Sequence, residues 1–121
     1  MTTPTFLESL QTRRDDPILR SFSSTIRFEL LEDGTVDPWS VTIADGRASV
    51  SRRRTKADCV ARMDASRFDE LARGEANAMT AFLRGEIHIE GDVAVLLAFA
   101  RLFPAGPKTA GMTTMPNRGA R

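Results

Sequence analysis

Apolar positions along the chain change their period, and each change marks a new element. Between Pro4 and Arg14, the residues Phe6, Leu7 and Leu10 recur at helical spacing and predict a short helix, ended by Asp16-Pro17. From Ser24 the period becomes two. Ile26, Phe28 and Leu30 alternate with Arg27 and Glu29, the mark of a half-buried strand, up to the turn at Glu32-Asp33-Gly34. Trp39, Val41 and Ile43 alternate with Ser40 and Thr42 in a second strand. Asp45-Gly46 is a two-residue hairpin signal, with Ala48, Val50 and Arg52 on its far side. Cys59, Ala61 and Met63 alternate once more and predict a fourth strand.

Helical spacing returns after this strand. Asp64 or Ser66 is placed to cap a short helix through Phe68 and Leu71, which Gly74 closes. A second helix is predicted from about Glu75 to Arg84, showing Ala78, Met79, Phe82 and Leu83 and stopping at Gly85. Ile87 and Ile89 alternate with Glu86, His88 and Glu90 in a last strand, and Gly91-Asp92 turns into a final helix that ends at Pro104. Asp92 is its expected cap. The order helix, four strands, two helices, strand, helix predicts an α+β domain. Its sheet should be largely antiparallel, because the early strands are joined by short turns, with the helices collected on one face. Residues 1–104 read as one domain without internal repeats, and 105–121, rich in Gly, Pro and Thr, as a flexible C-terminal tail.

The final helix is the most unusual segment. Ten of the eleven residues from Val93 to Phe103 are apolar, and Arg101 is their one charge. At about 100° per residue, the large apolar side chains cover an arc of roughly 220°, where ~100° suffices to pack a helix on one core. Docking on a sheet hides about half of them. The remainder, centred on Leu96, Phe99 and Phe103, needs a second apolar partner. The candidates are the tail with Met112 and Met115, another copy of the chain, or a bound apolar ligand.

Composition narrows the setting. The chain has 121 residues, 41% hydrophobic and 27% charged, with a net charge of +1. No global field points towards nucleic acid. A single cysteine, Cys59, excludes an internal disulfide and fits a reducing compartment. The N-terminal residues lack the pattern of a signal peptide, and no apolar run approaches the ~20 residues of a membrane span. A cytoplasmic location is expected, and fifteen arginines against two lysines suggest a GC-rich bacterial genome.

Catalytic chemistry has little to work with. His88 is the only histidine and there is no tyrosine. Alternation with Ile87 and Ile89 puts His88 opposite the core face, without the partner that acid–base catalysis needs. Cys59 shares a face with Ala61 and Met63 and reads as a small buried hydrophobe. Nucleotide-binding glycine loops and Cys-x-x-Cys pairs are absent, and neither a metal nor a cofactor is expected. Arg52-Arg53-Arg54 is the one basic cluster. It reads as a solvated loop, with transient contact to anionic lipid headgroups as its functional alternative. No aromatic interleaves with it, which argues against nucleic acid.

The stretch DCVARMDASRFDELARGEANAMTAFLRGEIHIEGDVAVLLAFARLF, Asp58 to Phe103, resembles the core of the sterol carrier protein type two family. The matching features are an acidic residue opening a strand that ends in Met63 and a helix with Phe68 and Leu71 closed by Gly74. Asn77 then precedes Phe82 and Gly85, Ile87-x-Ile89 follows, and Gly91-Asp92 opens a last apolar helix. Ser24–Leu31 and Trp39–Gly46 resemble that family's first strands. The resemblance implies a five-stranded, mostly antiparallel sheet with helices over one face, enclosing an apolar tunnel for a sterol, fatty-acyl chain or similar lipid. It also implies a carrier and not a catalyst. The expected tunnel residues are Phe28, Phe68, Leu71, Met79, Phe82, Leu83, Leu96, Phe99 and Phe103, with weak membrane contact through Arg52, Arg53 and Arg54. The sequence ends Arg118-Gly119-Ala120-Arg121 and not in a peroxisomal Ser-Lys-Leu address, so a peroxisomal carrier is not expected. The rival readings are a homodimeric interaction module, using the surplus helix face, and a small α+β enzyme acting on a hydrophobic substrate.

Overall fold

A computed structural model describes residues 2–13 and 16–104. The predicted C-terminal tail, 105–121, lies outside the described residues. The chain forms α1 (Thr2–Gln11), α2 (Pro17–Arg20), β1 (Ser24–Glu32), β2 (Thr35–Ala44), β3 (Arg47–Ser51) and β4 (Cys59–Asp64). These are followed by α3 (Ala65–Ala72), α4 (Ala78–Leu83), β5 (His88–Gly91) and α5 (Val93–Ala100). The expected order of elements holds, with one addition. α1 ends at Gln11, before the expected stop at Asp16-Pro17, and that pair instead starts α2: Asp16 accepts the Ile18 N–H at 2.8 Å and Pro17 occupies the first turn. Proline suits that position because its missing N–H has no partner there.

The five strands form one sheet in the order β3-β2-β1-β4-β5. Three of the four neighbouring pairs are antiparallel and β1–β4 is parallel. Both early hairpins turn through Asp-Gly pairs with positive φ, Asp33 (52°) with Gly34 (76°) and Asp45 (55°) with Gly46 (74°). That geometry matches strand twist in two-residue loops. Alternation sends Ile26, Phe28 and Leu30, Trp39, Val41 and Ile43, and Cys59, Ala61 and Met63 to one face, all buried. Helical residues Leu7, Leu10, Leu19, Phe68, Leu71, Leu96 and Phe99 complete a single core against them.

The second helix after β4 is shorter than its apolar spacing suggests. It begins at Ala78 and not near Glu75, because the Asn77 side chain accepts the Thr80 N–H at 2.9 Å and fixes the helix start. Asp92 caps α5 as expected, accepting the Ala94 N–H at 3.0 Å. Asp64 holds the corresponding position before α3 but makes no side-chain cap bond.

Ser51 is paired with β2 and Cys59 with β1, so residues 52–58 must cross both central strands to enter β4. They cross on the face opposite the core. Ser40 Oγ donates to the Arg53 carbonyl at 2.6 Å, and Arg27 Nη1 donates to that of Thr55 at 2.6 Å. Asp58 closes the crossing: its N–H donates to the Thr25 carbonyl at 2.8 Å and its carboxylate accepts the Thr25 N–H at 2.9 Å.

Candidate functional site

The space between helices and sheet is filled by phenylalanines from five different elements. Alternation turns Phe28 of β1 inward. Phe6 joins it in the core from α1, Phe68 from α3, Phe99 from α5 and Phe103 from the turn after α5. Their rings form a closed circuit. Phe28 meets Phe68 and Phe99 edge-on, each at 5.0 Å between centroids, and Phe99 meets Phe103 at 5.6 Å. Phe103 stacks on Phe6 at 5.2 Å, and Phe6 meets Phe68 at 6.2 Å. Phe68 and Phe103 touch across the circuit at 5.7 Å. Such pairs contribute about 0.5–1.5 kcal/mol each beyond area burial.

The predicted lining residues fall into two groups. Phe28, Phe68, Leu71, Leu96 and Phe99 are fully buried, and Phe103 is half-buried beside them. On α4, Phe82 is half-buried, whereas Met79 is 41% and Leu83 73% exposed. Met79 and Leu83 stand four residues apart and share the outward side of that helix. The α4 helix packs against α5, whose Val93 and Leu97 are also incompletely buried. An apolar interior therefore abuts an apolar rim. Within the circuit the rings are in mutual contact. Phe6 was not among the predicted lining residues, since the spacing of α1 does not reveal which aromatic it meets.

A surface cleft of about 360 Å³ lies elsewhere, along the ends of β4 and β5 and the start of α3. Arg62, Asp64, Arg67, Glu70, Glu86 and His88 line it, and Arg67 bridges Glu70 and Glu86. Charged and polar side chains make up most of its walls, beside Leu31 and Met63. His88 is exposed and lies 3.9 Å from Glu90. Cys59 is fully buried, and burial pushes its thiol up, which suppresses the reactive thiolate. Among the described residues no group of three or more His, Cys, Asp or Glu could hold a metal ion.

The Arg52-Arg53-Arg54 loop does not act as one basic patch. Arg52 pairs with Asp37 and lies over the Trp39 ring at 4.2 Å. Arg54 turns to Glu29, 2.8 Å away. Among the described residues Arg53 has no ion pair. Glu29 is a feature that alternation alone misplaces: its position on β1 points away from the core, yet it is only 3% exposed. Burial raises its carboxyl, but hydrogen bonds from Arg62 and Arg27 outweigh that and hold it below the usual range.

A one-sided α+β sheet whose helices close over an aromatic interior defines the class: a small domain built around an apolar core that reaches the surface at one helix. Residues 5–104 match the SCP-2 sterol transfer family, and the chain belongs to that family. The family is one of sterol and lipid binding or transfer, and its domains are in general carriers and not catalysts. The sterol carrier protein domain 2 of Helicoverpa armigera superimposes with a TM-score of 0.68 at 17% identity, over 81% of this chain and 82% of that one. Palmitated SCP2L2 from Aedes aegypti gives 0.66 at 15% identity, over 84% of this chain and 94% of that one. The stereoselective inverting sec-alkylsulfatase Pisa1 from Pseudomonas sp. gives 0.71 at 19% identity over 88% of this chain, which spans 17% of the sulfatase's length. At these identities the likeness is one of fold. No curated protein sequence matches the chain. Among the described residues no helix is long and apolar enough to cross a membrane.

Proposed function

We propose that this chain is a cytoplasmic, non-enzymatic carrier of a long-chain lipid, a fatty-acyl chain or a sterol. Its ligand occupies the interior bounded by Phe28, Phe68, Leu71, Leu96, Phe99 and Phe103 and enters past Met79, Phe82 and Leu83. The observation that carries this reading is the continuity between the two groups: a fully apolar interior adjoins a helix that exposes Leu83 and Met79 to solvent. Exposed large apolar side chains beside an apolar core are costly unless something apolar meets them. The palmitated state of the mosquito relative supports a fatty-acyl ligand. Transient contact with an anionic membrane belongs to the same reading, through the Arg52–Arg54 loop, in which Arg53 is the arginine without an ion pair.

Native mass spectrometry of the purified chain with palmitate tests the proposal. A one-to-one complex supports it. The exposed α4 side chains also fit a second copy of the chain. A ligand-free dimer that gains no palmitate would assign Met79 and Leu83 to a subunit interface and overturn the carrier.

A further inference from the structure

The sheet face opposite the helices carries a charge imbalance that the apolar interior does not use. Three guanidiniums converge on Glu29. Arg27 Nε and Arg54 Nη1 donate to Oε2 at 3.0 and 2.8 Å, and Arg62 donates to Oε1 from Nε at 3.1 Å and Nη2 at 2.7 Å. One negative charge thus faces three positive ones. A further acidic influence on Arg62 comes from Glu90, an exposed side chain on β5 that lies close to His88.

Counting donors leads to the same imbalance. A carboxylate offers about four acceptor positions, and four guanidinium nitrogens already fill those of Glu29. Among the described residues, Arg27 Nη2, Arg54 Nε and Nη2, and Arg62 Nη1 donate to no protein acceptor. Arg54 is 54% and Arg62 39% exposed, so their free donors can be reached from solvent, whereas Arg27 is only 18% exposed. Arg27 is further tied to the Thr55 carbonyl. The arginines are therefore held in place before any ligand arrives, which lowers the ordering cost of binding. Planar guanidinium forks of this kind match the oxygens of a phosphate group.

We propose that Arg54 and Arg62 form a binding site for a phosphate-type oxyanion on the sheet face opposite the helices, with Glu29 and Arg27 holding the guanidiniums in position. The phosphate is either a free anion or the headgroup of an anionic lipid. The site lies across the sheet from the apolar interior, and it stands or falls independently of lipid carriage.

Inorganic phosphate titrated into the full chain at low ionic strength provides the test, read by calorimetry and by the arginine Nε resonances. Saturable binding is expected, and Arg54→Gln should weaken it about tenfold by removing charge-assisted hydrogen bonds. Arg54 is the variant of choice because it leaves the β1–β4 partners Glu29 and Arg62 intact. Arg84→Gln, a change at an exposed arginine beyond α4 and away from Glu29, should leave phosphate binding unchanged. Sedimentation with phosphatidylcholine vesicles, with and without phosphatidylglycerol, separates the two sources. Association that needs phosphatidylglycerol, is lost in Arg54→Gln and is competed by phosphate supports the site with a headgroup as its occupant. Phosphate binding without such association supports it with a free oxyanion. Absence of saturable phosphate binding, or equal weakening by Arg84→Gln, overturns it. Neither result bears on palmitate uptake, so the carrier can fail or survive separately.

Discussion

Arg62 and Glu29 are register partners across the parallel β1–β4 pair, and Arg62 grips one oxygen of that carboxylate with two nitrogens, at 2.7 and 3.1 Å. The pair joins strands separated by the whole β2–β3 hairpin and the crossing loop. It also fixes the loop itself, since Arg54 takes the other oxygen from above. The carboxylate is nearly inaccessible, so its charge is sustained by guanidiniums and not by water.

Acid should loosen this arrangement. The Glu29 pKa is lowered from its ordinary value of 4.5, because hydrogen bonds from Arg62 and Arg27 overcome the opposing effect of burial. A carboxyl depressed in the folded state stabilises the fold fully above its unfolded value and loses that contribution as pH falls through the folded one. Stability of the wild type should therefore decline below about pH 4.5. Glu29→Gln should cost about 1.5–3 kcal/mol at pH 7, the range for hydrogen bonds to charged groups, and much less at pH 3. Urea unfolding at both pH values checks this. An equal cost at both would mean that the charge of Glu29 is irrelevant.

Helix caps offer a paired comparison. Asn77 accepts the Thr80 N–H, whereas Asp64 makes no such bond before α3. Asn77→Ala should cost about 1 kcal/mol, typical of a lost cap, and Asp64→Ala distinctly less. Thermal melts of both variants decide between this ranking and a general preference for polar residues at helix starts.

Gly91 is required for a different reason. Its φ is +96°, and a Cβ built there would lie 2.5 Å from the Asp58 carbonyl oxygen. That carbonyl also accepts the Asp92 N–H at 2.9 Å, so it cannot retreat without releasing the start of α5. Gly91→Ala should destabilise the fold by at least the ~1–3 kcal/mol of a strained backbone. Gly34→Ala has a similar sign of φ but open space around it, and it should cost less. Equal losses would show that sterics at Asp58 do not matter.

Local patterns made most of the fold legible. Period-two alternation places Ile26, Phe28, Trp39, Val41, Cys59 and Ala61 on one face, and both Asp-Gly turns follow from their residue types. What remained hidden depends on contacts distant in sequence. The alternation that makes Glu29 an outward residue contains no hint that Arg62 lies beside it, because the parallel β1–β4 register is set by the crossing loop. Helical spacing likewise identified Met79 and Leu83 as apolar without indicating their side. It grouped them with Phe68 and Phe99, although α4 turns them to solvent. Phe6 reads as a helix-core residue, and only the docking of α1 reveals that it closes the aromatic circuit. Arg52 and Arg54 look like one cluster in sequence, yet they leave the chain for different partners.

His88 tests the boundary of the site from the other side. It is exposed, and Glu90, 3.9 Å away, is exposed as well. His88→Ala should change stability by no more than about 0.5 kcal/mol, as surface substitutions do, and leave palmitate binding intact. Loss of binding would move the ligand from the apolar interior to the polar cleft that His88 lines.

Phe103 and Phe28 distinguish a ligand interior from a permanently filled core. Both belong to the same circuit, but Phe28 is fully buried on β1, while Phe103 is half-buried just before Pro104. Phe28→Ala should cost about 3–5 kcal/mol, as large-to-small changes in a packed core do. Phe103→Ala should cost clearly less, because solvent and neighbouring side chains can relax into the gap. A lipid that binds the folded state alone adds about 2.7 kcal/mol at a hundred times its dissociation constant. With palmitate, the wild type should therefore melt several degrees higher. Phe103→Ala should gain at least as much, since one ring of the circuit is already gone. Differential scanning calorimetry with and without palmitate reads both effects. If palmitate shifts neither protein, while dilution lowers the melting temperature of the wild type, the rings are plain core. The apolar rim on α4 then meets another subunit and not a lipid.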